Sequence, residues 1–244
     1  MKLLVTIPVY NEENALPVSI PALHAFLEAN LADYDWEIEI ADNASIDATP
    51  EVSGKLTEEY ARVRYHRLEQ KGRGRALKKS WMESDADIVS YMDVDLSTNL
   101  DSFPPMVHAL AHEGYDIGTG SRLMKGANTE RSFKREFISR SYNLMVKAMF
   151  FTRFSDAQCG FKAVTREVVD VLLPHIEDNV WFFDSELLII GEKSGYRIFD
   201  VPVKWIEDLD TRVKIVSTAI DDIKGLIRVR RNFWRGAYTG LRKG

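Results

Sequence analysis

The most informative stretch of the sequence is DIVSYMDVD at residues 87–95. Its first six residues are mostly apolar and are predicted to form a buried β-strand. Two carboxylates one residue apart, those of Asp93 and Asp95, follow directly. In open α/β sheets, ligands bind at the carboxyl ends of the strands. The stretch therefore predicts an α/β protein whose site begins at this pair of acids.

The same alternation of strand, polar loop and helix is found on both sides of this stretch. Strands are predicted at 3–9, 36–41, 63–68, 87–92 and 116–120, and helices at 15–31, 47–60, 75–83 and after Pro104-Pro105. Polar clusters follow four of these strands, at Asn11-Glu12, Asp42, Asp93 with Asp95, and Ser121-Arg122. We therefore expect four separate segments to supply one site at one edge of a mostly parallel sheet.

The second half of the chain is less regular. Helices are predicted at 131–151, 165–173, 183–193 and from 216 to about 234, with a loop and short strand at 154–163 and a strand at 196–206. Asp184 and Glu186 are either acids that support the site residues from behind or charges at a helix N-terminus, and the second interpretation is favoured. We predict a catalytic domain over residues 1–215 and a basic amphipathic helix and tail over residues 216–244.

Length and composition are those of an ordinary globular protein. A chain of 244 residues with 45% hydrophobic residues can bury a large core without disulfides. The single cysteine, Cys159, fits a reducing compartment and is interpreted as a small buried hydrophobe. Without a signal-peptide pattern or an apolar run of 18 residues, we expect a cytoplasmic protein, peripheral at the cytosolic face of a membrane.

The charge is concentrated at one end of the chain. The net charge is −5, yet Lys224–Gly244 holds seven Lys/Arg and no Asp/Glu, leaving 25 Lys/Arg against 37 Asp/Glu before it. The acidic body argues against nucleic acid as a partner. The basic tail indicates either an anionic partner such as a lipid surface or a solvated terminal helix, and charge alone leaves both open.

The acid pair has a chemical use at a strand end. Asp93 and Asp95 can both reach one divalent cation, and Mg²⁺ and Mn²⁺ prefer such oxygen ligands while leaving positions for phosphate. An isolated Asp-x-Asp is more often a solvated turn, so the surrounding motifs decide the interpretation.

Four motifs occur together in order: PVYNEE at 8–13, DNASIDAT at 42–49, KGRGRAL at 71–77 and DVD at 93–95. In this set the sequence resembles the family-2 glycosyltransferases with the GT-A fold. The usual forms in that family are P-x-Y-N-E, D-D-G-S-x-D-x-T, a Gly-Lys-Gly-like loop and D-x-D. The sequence departs from them at Asn43-Ala44, where Asp-Gly is usual.

This resemblance implies a Rossmann-like sheet with helices on both faces and a nucleotide-sugar donor. It implies Mg²⁺ or Mn²⁺ on Asp93 and Asp95, where the cation neutralises the leaving diphosphate. The ring of Tyr10 would lie near the base, and Asp42 would accept hydrogen bonds from the base or ribose. The full set implied at the donor is Pro8, Tyr10, Glu12, Ile40, Asp42, Asp93, Val94, Asp95, Arg212 and Lys214.

Three further segments narrow the resemblance: GSR at 120–122, SFKREFISR at 132–140 and DAQCGFK at 156–162. They look like the polyprenyl-phosphate sugar transferases and, with WFFDSELL at 181–188, are closest to the dolichyl-phosphate β-glucosyltransferase branch. The acceptor implied is a lipid phosphate bound by Arg122, Arg135 and Ser139. Asp156 would orient the acceptor or act as a formal base, so that Arg122 and Asp156 are the implied catalytic residues.

Glucose from UDP-glucose is the implied sugar, and three alternatives stay open. The first is mannose transfer from GDP-mannose onto the same class of lipid. The second is a sugar hydroxyl acceptor, which would need a true base and no Arg122/Arg135 pair. The third is a nucleotide-sugar-binding subunit without turnover, against which the intact Asp93/Asp95 pair counts.

Overall fold

The structure is a computed structural model that describes residues 1–130, 133–206 and 215–243. Its strands are β1 (Lys2–Val9), β2 (Asp35–Asp42), β3 (Val63–Arg67), β4 (Ile88–Met92), β5 (Ile117–Ser121), β6 (Asn128–Glu130), β7 (Phe161–Thr165), β8 (Ile198–Pro202) and β9 (Lys204–Ile206). Its α-helices are α1 (Leu16–Asn30), α2 (Thr49–Glu59), α3 (Arg73–Glu83), α4 (Phe103–His112), α5 (Phe133–Phe150), α6 (Arg166–Val171), α7 (Phe183–Lys193) and α8 (Ile215–Trp234).

Seven of these strands form the central sheet, in the order β3-β2-β1-β4-β7-β5-β8. Strands β1 to β4 are parallel, β5 is parallel to β8, and β7 runs antiparallel between β4 and β5. The predicted mostly parallel sheet is confirmed. In the β1–β2 register Val9 lies opposite Asp42, so the loops after these two strands begin at the same level.

The sheet separates two hydrophobic cores, as expected when helices cover both faces. Alternate residues of β1 point to opposite sides, so that Val5 lies in one core and Leu4 in the other. Buried side chains of α1, α2 and α4 pack in the first core, and those of α3, α5, α6, α7 and α8 pack in the second. Because both faces of the sheet are covered, β1 and β4 are mostly apolar on both sides, with Thr6 and Ser90 as buried polar exceptions.

Two predicted boundaries were wrong. The single strand predicted at 196–206 is two strands, because the chain leaves the central sheet after Pro202 and β9 pairs with β6 instead. The helix predicted at 165–173 ends at Val171, and a short 3₁₀ turn follows at Leu173–His175. Pro174 lies in that turn; proline has no N–H to donate to a continuing α-helix.

Helix α8 packs through one face on the part of the chain that precedes it. Leu226 and Val229 are buried in the second core, and Arg228 forms ion pairs with Glu177 (2.8 Å) and Glu186 (3.0 Å). A Cβ at Gly225 would lie 2.5 Å from the ring of Phe182, so the helix approaches closely there. The boundary at residue 215 stays a prediction, although the two segments share a core.

The other face of α8 carries an exposed apolar stripe. Its members are Ile220, Ile223, Ile227 and Trp234, of which Trp234 is 76% exposed. Arg230 lies over the ring of Trp234 at 5.3 Å. In the part of the chain that the structure describes, none of the helices combines the length and apolar character needed to cross a bilayer.

Candidate active site

The first two loops of the site are joined by hydrogen bonds. Asn11 donates its backbone N–H to the Ser45 hydroxyl and accepts from the N–H of Ile46, both at 2.9 Å. The N–H of Glu12 donates to the Thr49 hydroxyl at 2.8 Å. The predicted PVYNEE and DNASIDAT motifs therefore lie side by side at the carboxyl ends of β1 and β2.

Asp42 organises its own loop from a fully buried position. One carboxylate oxygen accepts from the N–H of Ser45 and the other from the Tyr65 hydroxyl, both at 2.8 Å. Burial and this carboxylate raise the pKa of Tyr65, which stays a hydrogen-bond donor. The predicted role of Asp42 at a base or ribose stays a prediction, since both of its oxygens already hold protein groups.

The remaining donor residues of the first two strands lie around the same edge. The Lys71 ammonium lies 3.2 Å from the centre of the Tyr10 ring, which covers one face of the ring. Pro8 and Glu12 are half-buried near the loop, whereas the side chain of Ile40 is fully buried in the core. The role of Tyr10 near a base stays a prediction, and Ile40 packs in the core beneath the strand end.

The backbone of Ala44 shows how this turn forms despite the departure from the family's second motif. Ala44 has φ 62°, in the left-handed region that favours glycine. The turn that the usual Asp-Gly sequence would form is therefore retained, with alanine in the glycine conformation. The side chain of Asn43 accepts the N–H of Gly72 at 3.1 Å and so ties this turn to the third loop.

The backbone amides of the third loop, KGRGRAL at 71–77, donate hydrogen bonds to the segment that precedes α7. The N–H groups of Gly74 and Arg75, at the start of α3, donate to the carbonyls of Val180 (3.1 Å) and Asn179 (3.0 Å). Helix N-termini often bind phosphate through such amides. Here the segment before α7 occupies them, so the loop acts through its side chains.

The two acids after β4 are in different surroundings. Asp93 binds Nη2 of Arg73 through Oδ1 at 2.7 Å, and its side chain remains 42% exposed. Asp95 is exposed and accepts the N–H of Ser97 at 2.9 Å, while Val94 between them is buried. Partial burial and the neighbouring carboxylates of Asp95 and Asp184 raise the pKa of Asp93, against the effect of Arg73.

The carboxylate oxygens of Asp93 and Asp95 fit a divalent cation that also binds a phosphate ligand. The described residues contain no group of three His, Cys, Asp or Glu arranged to hold a metal without help. Mg²⁺ keeps several waters and is commonly held by one or two carboxylates plus substrate phosphates. Asp93 and Asp95 supply that number of carboxylates directly after β4.

A buried charge cluster beneath Asp93 was missed from the sequence. Arg73 joins Asp93 to Asp184, whose Oδ2 lies 3.1 Å from Nη1. Asp184 also accepts the Tyr91 hydroxyl and pairs with the fully buried Lys162 at 3.3 Å. Burial opposes the charge of Arg73, but Tyr91, Asp93 and Asp184 outweigh it and raise its pKa.

The interpretation of Asp184 and Glu186 as mere helix N-terminal charges was therefore incomplete. Both lie in the first turn of α7, yet both are buried. Asp184 belongs to the charge cluster, and Glu186 pairs with Arg228 of α8. Only the WFFDSELL segment hinted at this, because acids within an apolar run need partners when they are buried.

The two predicted catalytic residues bind each other. Arg122 donates Nε and Nη2 to Asp156 at 2.7 and 3.0 Å, and its backbone N–H also points to that carboxylate. Asp156 is fully buried, which works against its charge, but Arg122 and the N–H of Gln158 bring its pKa down to about 2. A carboxylate held so firmly in the charged form is a weak base.

Ser139 and its surroundings complete the described part of the predicted acceptor site. Ser139 is buried on α5, and among the described residues its hydroxyl has no hydrogen-bond partner. A cleft of about 230 Å³ opens nearby, lined by Leu123, Arg140, Asn143, Leu144, Lys147 and Ser155. The side chain of Arg135, and Arg212 and Lys214 altogether, lie outside the described residues.

Comparisons with known proteins agree with this geometry. Glycosyltransferase AglD of Haloferax volcanii is 35% identical over 95% of this chain, which spans 37% of that protein. The dolichyl-phosphate beta-glucosyltransferase of Dictyostelium discoideum is 28% identical, with 97% of this chain and 76% of that protein aligned.

Solved structures show the same fold. Mycobacterium tuberculosis glucosyl-3-phosphoglycerate synthase, in complex with Mn²⁺, UDP and phosphoglyceric acid, superposes with a TM-score of 0.67. The superposition covers 100% of this chain and 80% of that one at 17% identity, which confirms the GT-A fold. The sequence profile described as "Glycosyl transferase family 2" matches residues 4–173. With most of its length matched by that profile, the chain belongs to glycosyl transferase family 2.

Proposed function

We propose that this protein is a metal-dependent, inverting glycosyltransferase that moves glucose from UDP-glucose onto dolichyl phosphate or another polyprenyl phosphate. The observation that carries the proposal is the meeting of two chemically distinct groups at one sheet edge. Asp93 and Asp95 follow β4, and the Arg122–Asp156 pair lies after β5. The first suits a cation with a diphosphate, and the second suits an anionic acceptor.

The relatives support the choice of sugar and acceptor. Dolichyl-phosphate beta-glucosyltransferases of several organisms align over most of this chain and of their own length. The structural neighbour was solved with UDP, UDP-glucose and Mn²⁺ or Mg²⁺ in different complexes. These observations favour UDP-glucose over GDP-mannose as the donor.

On the donor side, Asp93 and Asp95 would hold Mg²⁺ or Mn²⁺, which neutralises charge on the departing diphosphate. Tyr10 would lie near the base, and Pro8 and Glu12 would line the nucleotide pocket beside it. Roles for Arg212 and Lys214 at the donor phosphates remain predictions.

On the acceptor side, positioning matters more than proton removal. A phosphate monoester carries about −1.5 to −2 charge at neutral pH and is already nucleophilic. Asp156 orients Arg122, and because a guanidinium has five N–H donors, donors remain for the phosphate after two have bound Asp156. A phosphate oxygen then bonds to the anomeric carbon as the bond to UDP breaks, which inverts the configuration.

Two further observations support a phosphate acceptor. The buried hydroxyl of Ser139 has a donor to offer and no described protein acceptor. Lys147 lines the neighbouring cleft and adds a positive charge there, while Arg140, which also lines it, is paired with Glu136 at 2.7 Å. Arg135, as a second cation at the acceptor, stays a prediction from the sequence.

The proposal includes a place at a membrane surface, which the exposed face of α8 supports. The apolar stripe of Ile220, Ile223, Ile227 and Trp234 stands beside Arg230 and Arg231 on the same helix. Basic and apolar side chains together bind anionic lipid surfaces, at about 1 kcal/mol for each basic residue near the surface. The double variant Ile227→Ser/Trp234→Ser should bind anionic liposomes more weakly, measured by co-sedimentation.

A donor and acceptor screen with the full chain tests the proposal. UDP-[¹⁴C]glucose and GDP-[¹⁴C]mannose are each offered with a short polyprenyl phosphate, with the matching polyprenol as control acceptor. We expect labelled lipid phosphate only from UDP-glucose and none after EDTA treatment. Labelling from GDP-mannose alone would favour the mannosyltransferase alternative, and labelling of the polyprenol would reject the phosphate acceptor.

A further inference from the structure

Gly160 lies against the first acid of the predicted cation site. A Cβ added at Gly160 would overlap Oδ2 of Asp93 and lie 2.7 Å from Cγ of the same residue. Real Cβ atoms essentially never come within 3.0 Å of another heavy atom in this way. Gly160 has no positive φ, so its backbone conformation is open to other residues. Space for the carboxylate is therefore what requires glycine at this position.

The Asp93 carboxylate is held from its other side as well. Its Oδ1 binds Nη2 of Arg73, which would itself lie 2.9 Å from a Cβ at Gly160. Arg73 is fixed by Asp184 and lies over the ring of Tyr91 at 4.7 Å. Asp93 therefore cannot turn away from an added methyl group without losing its bond to Arg73.

The loop that carries Gly160 touches the site at three points. Asp156 binds Arg122, Gly160 faces Asp93, and Lys162 pairs with Asp184. Two of these contacts are buried ion pairs, which hold the loop in place on either side of Gly160. An added side chain would thus move Asp93 rather than the loop.

We propose that Gly160 is a positioning residue for the divalent cation, because its missing side chain lets Asp93 adopt the orientation in which Asp93 and Asp95 bind the same ion. This inference rests on the proposed cation-binding role of those two acids. It gives the glycine of the QCGFK segment a function in the donor half of the site, although the segment itself lies on the acceptor side.

Mn²⁺ binding in the presence of saturating UDP tests this inference, measured by electron paramagnetic resonance of the free ion. The proteins compared are wild type, Asp93→Asn, Gly160→Ala and the control Gly54→Ala, whose new Cβ meets no atom within 4 Å. Changes in residues that orient a metal ligand typically weaken metal affinity by about 10- to 100-fold. We expect a loss in that range for Gly160→Ala, wild-type affinity for Gly54→Ala, and unchanged binding of UDP without metal in both.

The outcomes separate this inference from the proposed function. If Asp93→Asn binds Mn²⁺ weakly and Gly160→Ala binds it as wild type does, the inference is overturned and the cation site stands. If wild type takes up no Mn²⁺ with UDP, or Asp93→Asn is unaffected, the cation site itself fails.

A second measurement distinguishes displacement of Asp93 from general damage to the fold. Urea unfolding of the metal-free proteins is compared for Gly160→Ala in the wild-type and in the Asp93→Ala background. Because the added Cβ collides chiefly with the Asp93 carboxylate, any destabilisation should largely disappear when that carboxylate is removed. Equal destabilisation in both backgrounds would show that Gly160 acts on other neighbours and would overturn the inference.

Discussion

The donor side and the acceptor side of the site are held together by different forces. On the donor side, Asn11, Glu12 and Ser45 join two loops through neutral hydrogen bonds near the surface. On the acceptor side, Arg122 and Asp156 form a buried ion pair, and Lys162 pairs with Asp184 below it. The loops after β1 and β2 are joined by exchangeable polar contacts, whereas the Arg122–Asp156 pair and the Arg73–Asp184–Lys162 cluster beneath Asp93 consist of charges that depend on one another.

This contrast has an energetic meaning. A typical neutral hydrogen bond contributes about 0.5–1.5 kcal/mol to stability, whereas removing one member of a buried ion pair costs about 3–5 kcal/mol. Loss of activity in a variant of the loops after β1 and β2 can therefore be attributed to chemistry. The same loss on the acceptor side must first be separated from unfolding.

The largest effect on activity is expected at Asp95. Its side chain is exposed and Asn at this position can still accept the N–H of Ser97. Asp95→Asn should lower the transfer rate by about 100-fold or more, since a catalytic cation supplies several kcal/mol of charge stabilisation. Melting temperature should stay at the wild-type value, and Asp101→Asn, a nearby exposed acid, is the matched control. Substantial transfer by Asp95→Asn would contradict the cation site.

The largest effect on stability is expected at Arg122. Arg122→Gln leaves the Asp156 carboxylate buried without its main partner and should cost about 3–5 kcal/mol in urea unfolding. Ser45→Ala, the donor-side counterpart, should cost about 1 kcal/mol. Adding Asp156→Asn to Arg122→Gln should restore part of the loss. Equal costs for the two single variants would remove the distinction between the two sides.

The pH dependence of stability should separate two buried acids on the acceptor side. Asp156 has a pKa of about 2, below its unfolded value, so its contribution is present above about pH 4 and is lost as pH falls towards 2. Burial raises the pKa of Asp222 to about 7, above its unfolded value, so its contribution is complete below about pH 4 and is lost as pH rises through 7.

Melting temperatures of wild type and Asp222→Asn between pH 4 and 8 check the second case. Asp222 accepts a hydrogen bond from Gln158 and has Asp178, Asp184 and Asp221 nearby but no described cation paired with it. The variant should lose less stability than wild type as pH rises. Parallel curves for the two proteins would show that Asp222 does not titrate in this range.

The smallest effect is expected in the donor-side turn. Ala44→Gly removes the cost of a left-handed conformation in a residue with a side chain, offset in part by the greater freedom of glycine in the unfolded chain. We expect a stabilisation of about 1 kcal/mol by urea unfolding. Destabilisation by this substitution would mean that the Ala44 methyl group makes contacts worth more than the strain.

The two sides also differ in how well the sequence predicts them. The donor-side residues follow strand ends directly, so that Asp42, Asp93 and Asp95 were located by pattern alone and the sheet brought them to one edge as expected. The partners of Asp184 could not be found in this way. Arg73 and Lys162 lie far from it in the sequence. No periodicity or spacing in the sequence indicates that packing brings the three residues together.

The antiparallel strand β7 joins two blocks of the central sheet, and the candidate site lies where the blocks meet. Among the described strands, β5 and β8 join the β3-β2-β1-β4 block only through β7. Asp93 follows β4 in one block, and Arg122 follows β5 in the other. Asp156 and Gly160 lie in the segment that leads into β7 between the two blocks. Local opening of β7 would therefore separate the residues predicted to bind the two substrates without unfolding either block. The exchange rate of the β7 amides with deuterium measures how often the native protein is in that disassembled form.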